Sequence, residues 1–142
     1  MYVARLGRER AAWANPFRAI ADRGIGLAFG SDATVTSMDP WGTLYAAEHH
    51  AERRHAVSRM EAVSMSTLGG RTAARQDRFT GAVRAGMRAD LAVFEGDPYV
   101  AEDPRGTPCV LTLVQGRVAH GEAPLPDAGD GAREERNSGA GI

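Results

Sequence analysis

The sequence predicts an α/β protein laid out in two successive parts, helix–strand–helix–helix and then a small antiparallel β unit. Three observations carry this. A short amphipathic helix closes at Gly24 and passes directly into the apolar run 25–29. A capping-box pattern, Ser58-Arg59-Met60-Glu61, opens a later helix. From Phe79 onward, short apolar runs alternate with glycine turns, and Gln115-Gly116 between two such runs marks a hairpin.

Residues 1–14 show no period and are expected to be irregular. Asn15-Pro16 reads as a helix start, with Asn15 as cap and Pro16 at the first helical position. Phe17, Ile20 and Ala21 share one face of that helix, and Gly24 closes it. Residues 25–29 then read as a buried strand, the αβ half of a parallel unit. A polar loop follows over 31–40, and a second helix is expected over about 41–54. The helix opened at Ser58 has Met60, Val63 and Leu68 among its apolar positions and is expected to end at Gly69-Gly70. Short strands follow at 91–94, 110–114 and 117–120. Residues 122–142 are rich in Gly, Ala, Pro and charge and are expected to be disordered. The division is thus 1–14 irregular, 15–78 α/β, 79–121 β and 122–142 tail. A closed βα barrel takes roughly 200 residues or more, so the α/β part reads as the end of something larger.

Composition bounds the function. The chain has 142 residues, 43% of them hydrophobic, and a formal net charge of −1. Its 17 basic residues are all arginine, scattered among acids, so no nucleic-acid partner is expected. No apolar run approaches the roughly 20 residues of a membrane span, and no membrane association or secretory leader is expected. Cys109 is the single cysteine, which fits a reducing, cytoplasmic setting.

One residue stands out chemically. Asp32 follows the apolar run, and a carboxylate at the carboxyl end of a strand faces a pocket more often than a core. The plain alternative is a turn or helix-cap residue. Thr34, Met38 and Trp41 either line the same pocket or pack the loop and start the next helix. His49, His50 and His55 form no His-x-x-x-His pair and read as a solvated helix face. Asp90 reads as a structural turn acceptor, Cys109 as a small core residue and His120 as an exposed hairpin residue.

Three patterns in order resemble the C-terminal third of the metal-dependent amidohydrolase superfamily, most closely amidohydrolase family 3. They are Gly30-Ser31-Asp32 after an apolar run; Met60-Glu61-Ala62-Val63 leading to Thr67-Leu68-Gly69-Gly70-Arg71-Thr72-Ala73-Ala74; and Gly81-Ala82-Val83-Arg84-Ala85-Gly86-Met87-Arg88-Ala89-Asp90-Leu91. The resemblance covers about residues 15–121. It implies the last βα elements of a TIM (β/α)8 barrel over 15–78 and part of a small β-sandwich over 79–121.

The resemblance also implies hydrolysis of non-peptide C–N bonds in a small amide-type substrate by metal-activated water. The metal is a divalent cation, commonly zinc, and such an ion brings the pKa of bound water to about 7. Asp32 matches the family's strand-end aspartate, which contacts metal and carries the proton. The other family ligands, a His-x-His pair, a lysine or glutamate and two further histidines, have no counterpart here, and the chain contains no lysine. The chain is therefore expected to be inactive alone. Its origin would be a truncated gene, a misplaced start or one subunit of a split hydrolase, with a partner chain or self-association completing the barrel. The competing expectation is a non-catalytic interaction module.

Overall fold

The computed structural model describes residues 2–122. The tail expected to be disordered over 122–142 lies, Glu122 apart, outside them. Two parts follow each other along the chain. A helical part runs to Ala73, and a three-stranded antiparallel sheet follows.

The N-terminal segment expected to be irregular is helical, as α1 (Tyr2–Ala11), interrupted at Gly7 with φ 74 and ψ 165. None of its residues is buried. Its apolar residues, Tyr2, Val3 and Leu6, stay exposed, so good helix formers rather than core packing hold it. The next helix, α2 (Phe17–Ala21), is short, and the expected Asn15 cap is absent. Asn15 instead adopts φ 53 and its side chain caps nothing. The same Asx-Pro signal works at Asp39-Pro40. There the Asp39 carboxylate accepts from the Gly42 N–H at 2.9 Å and Pro40 opens α3 (Pro40–Glu48). That helix stops six residues short of the expected end, and a single 3₁₀ turn, Arg53–His55, follows.

The capping box at Ser58 forms as expected, with both reciprocal bonds to Glu61. It opens α4 (Arg59–Ser64), which continues through a π turn, Met65–Gly69, into α5 (Gly70–Ala73). Gly69 and Gly70 therefore do not end the helix, since both hold helical dihedrals. The reason for Gly69 is steric. A Cβ there would overlap the Leu27 carbonyl oxygen, so glycine lets the segment before Asp32 cross the helix at backbone distance.

That segment carries the main correction. Residues 25–29 are extended but unpaired, and Ile25 is 57% exposed. A strand exists only through a neighbour that completes its ladder, and none is at hand. Among the described residues there is no barrel.

The core is small: Trp41, Leu44 and Ala47 from α3, with Val57 and Ala62. Phe17, Phe29, Val63, Met65 and Phe94 pack against it. Ala62, rather than the exposed Met60, is the buried residue of α4. The three strands β1 (Leu91–Phe94), β2 (Cys109–Val114) and β3 (Arg117–His120) pair in that order. The expected hairpin forms, with Gln115 at φ 54 and Gly116 at φ 76, both on the positive side as a type I′ turn requires. The sheet joins the helices through Phe94, whose ring meets Trp41 edge-on at 5.2 Å. A second tie is Arg59, which donates to Glu48 at 2.8 Å and to the carbonyls of Pro98 at 2.9 Å and Ala101 at 2.5 Å.

Three carboxylates hold the folded state against acid. The Arg18 guanidinium, then the Ser58 N–H and hydroxyl, bring Glu61 down to about 2. Arg88, the Gln115 N–H and Thr80 do the same for Asp90, which acts as the expected turn acceptor. Arg105 holds Asp103 at about 2. Each folded-state value lies below the unfolded one, so the unfolded chain binds more protons in the interval between them. Their contribution is complete above about pH 4.5 and is lost as pH falls toward about 2. Urea midpoints should be flat above pH 5 and fall steadily below 4.5, with Asp90→Asn removing part of that slope. Midpoints that rise on acidification contradict this assignment.

Candidate functional site

Gly24 sets up the site by turning the chain out of α2 at φ 70, its N–H bonded to the Ala21 carbonyl at 2.8 Å. The extended segment then runs over Gly69. It is tied down where the Phe29 N–H donates to the Met65 carbonyl at 3.2 Å. Met65 opens the π turn, and such a widened turn presents backbone groups to partners outside the helix. The Phe29 ring packs on Phe17, centroids 4.9 Å apart. These contacts hold residues 29–32 in place at the rim of a recess.

The chain reverses at Asp32. It adopts φ 54, a left-handed conformation that aspartate tolerates better than most residues. Its carbonyl accepts from the Val35 N–H at 2.8 Å and the Thr36 N–H at 3.3 Å, and the Thr36 hydroxyl bonds the Ser31 carbonyl. The backbone thus makes the turn while the carboxylate is spared. Among the described residues, the Asp32 carboxylate has no hydrogen bond and no ion pair. After the turn, the Asp39 cap brings α3 back alongside the segment.

Between segment and helix lies an open recess of about 610 Å³. Phe17 and Phe29 give it an apolar wall, and Asp32, Asp39, Thr43 and His50 give it polar groups. A second groove of about 480 Å³ runs along residues 24–28 against the π turn and α5. It is apolar and carries no titratable side chain.

The pocket residues read from sequence separate here. Asp32 lines the recess. Thr34 and Met38 do not; both are exposed on the loop, Met38 to 80%. Trp41 is buried in the core against Phe94, the packing alternative rather than the pocket one. Its Nε1 is buried without a partner. The expectation of a solvated histidine face also fails in part. His55 is 2% exposed and its Nε2 lies 3.1 Å from the Ala12 carbonyl oxygen, while His50 is half-buried at the recess. His50 was missed because the Phe17 ring it meets, and the segment with which it lines the recess, come from distant parts of the chain. Only the Asp39-Pro40 signal in the sequence could have ended the loop there and placed α3.

A catalytic zinc takes about three protein ligands. Among the described residues no three His, Cys, Asp or Glu side chains come together. The residues present do not fit a metal centre by themselves, although Asp32 leaves one carboxylate free for such a role. No helix among the described residues is long and apolar enough to cross a membrane.

A model of the family described as Amidohydrolase family, of its third group, matches residues 1–120. No curated protein matches the chain.

Proposed function

Because the chain belongs to the amidohydrolase family, amidohydrolase family 3, over residues 1–120 of 142, we propose that it carries the carboxylate end of a hydrolase site acting on non-peptide C–N bonds. The family is generally metal-dependent and generally acts on small molecules. In this reading residues 25–32 are the last strand of a TIM barrel and its catalytic end, and residues 79–121 are part of the β-sandwich beside it. The observation that carries the reading is the free Asp32 carboxylate at the rim of a recess, the turn there being made by the residue's backbone carbonyl. Asp32 takes the proton of the attacking water and returns it to the leaving nitrogen, an ordinary general acid–base role. Asp32 is also the residue proposed to touch the divalent metal, zinc being the expected ion.

The remaining ligands lie outside these 142 residues, on the same polypeptide or on a partner chain that pairs with segment 25–29. The protein is cytoplasmic in this reading. Alone it is inactive. Purified by itself, it should hold no stoichiometric zinc and hydrolyse neither amides nor formamides. Joined to a barrel segment that carries His-x-His, it should take up zinc and turn over substrate. Stoichiometric metal and robust turnover by the isolated chain would defeat the reading.

The groove along residues 24–28 and the exposed Ile25 favour one alternative, a non-catalytic interaction module. Unpaired extended backbone beside apolar surface is a template for association. A co-purifying partner that carries no metal ligands supports the module over the split enzyme.

A further inference from the structure

We infer that Thr67 is a positioning residue for Asp32: its hydroxyl holds the π turn in the shape that lets the Met65 carbonyl anchor the segment carrying the carboxylate. The inference rests on the reading of Asp32 as the proton carrier.

The path is a chain of hydrogen bonds. Thr67 lies inside the π turn, Met65–Gly69. Its hydroxyl donates to the Val63 carbonyl, four residues back and just ahead of that turn, at 2.8 Å. A hydroxyl on the carbonyl four residues back competes with the helical ladder and bends the helix there. Within the turn so loosened, the Met65 carbonyl accepts from outside the helix, from the Phe29 N–H at 3.2 Å. In an α turn the Met65 carbonyl belongs to the N–H of Gly69; in a π turn the ladder moves on by one residue.

The back-bond does not act alone. Thr43 makes the same kind of bond, its hydroxyl donating to the Asp39 carbonyl at 3.1 Å. There the Thr43 N–H keeps its own 3.1 Å bond to that carbonyl, and α3 stays an ordinary α-helix. At Thr67 a second tie is present, the Phe29 N–H on Met65. Both bonds favour the same widened turn, so each is strengthened by the other, as expected of contacts that share one backbone geometry.

What the turn holds is the approach to Asp32. The Leu27 carbonyl lies over Gly69, the last residue of the turn, and the Phe29 N–H is bonded to Met65, the first. The segment is thus seated at two points on one turn. Beyond the second point, the Phe29 ring rests on Phe17 and the Thr36 hydroxyl bonds the Ser31 carbonyl, which carries the constraint to Asp32. A turn that tightens to α geometry shifts both seats and moves the carboxylate. Thr67 itself is exposed, so this role owes nothing to core packing.

The test is amide hydrogen exchange on the full ¹⁵N-labelled chain as wild type, Thr67→Val and Thr67→Ser. Valine matches threonine in shape and closely in helix propensity, so it removes the donor alone, and serine keeps the donor. In Thr67→Val, protection of the Phe29 amide should fall about 3- to 10-fold, the worth of one hydrogen bond, and the Asp32 and Val35 amide resonances should shift. The Ala62 amide, bonded to the Ser58 carbonyl at 2.9 Å ahead of the π turn, should be unchanged. Thr67→Ser should return Phe29 to its wild-type protection. Unchanged Phe29 protection in Thr67→Val, an equal fall at Ala62, Asp32 resonances that stay in place, or no recovery with serine overturns the inference. All of these are read without turnover. A completed wild-type assembly that fails to turn over sinks the hydrolase reading alone.

Discussion

Replacing Asp32 by Asn in the completed enzyme should lower turnover by about 10²- to 10⁴-fold, the usual contribution of a positioned acid–base group, while leaving folding unchanged. The second half of that expectation makes the first informative. The Asp32 carboxylate bonds nothing within the described residues, and the turn is made by its carbonyl. Asparagine tolerates the same left-handed φ of 54. The substitution thus removes the ability to hold a proton without removing a contact. Urea midpoints of the isolated chain should coincide for wild type and variant within a few tenths of a kcal/mol, as for a surface change. A large loss of stability makes Asp32 a turn residue. Unchanged turnover in a completed assembly removes it from the chemistry.

Gly69→Ala and Gly70→Ala should change stability in opposite directions although the glycines are neighbours. Both hold helical dihedrals, φ −58 at Gly69 and φ −60 at Gly70. Alanine in a helix is favoured over glycine by roughly 1 kcal/mol. At Gly70 a Cβ meets nothing within 4 Å, so that preference is realised as a gain of about 0.5–1 kcal/mol. At Gly69 the Cβ overlaps the Leu27 carbonyl oxygen, a backbone atom that cannot swing aside. Relief requires the extended segment to lift off the helix, at the cost of about 1–3 kcal/mol typical of overpacking. Lifting it strains the Phe29 N–H bond to Met65 and moves Asp32 with it. Gly69→Ala should therefore also reduce turnover of the completed enzyme, and Gly70→Ala should not. Equal urea midpoints for the two variants would mean that the segment does not seat on the helix as described.

Features set by neighbours in the chain were legible from residue order. The Ser58–Glu61 capping box is one, because its bonds close over three residues. The Gln115-Gly116 turn is another, because two positive φ values are a local demand. Asp90 as a turn acceptor and Asp32 at the end of an apolar run were legible for the same reason. What failed was decided at a distance. Residue order makes Gly69 a helix stop, yet it is a crossing point for Leu27, which lies far away along the chain. For Trp41 residue order leaves pocket and packing both open, and Phe94 of the sheet decides for packing.

By itself the amino-acid order determined the helix signals, the hairpin, the antiparallel tail and the one carboxylate worth testing, since each depends on dihedral preferences and spacings within a few residues. Only the tertiary structure decided that residues 25–29 stay extended without a ladder and that His50 joins Asp32 around one recess. The physical reason is that strands and pockets consist of contacts between segments. A run of apolar residues can ask for a neighbouring strand, but only the assembled chain supplies one or leaves the edge open.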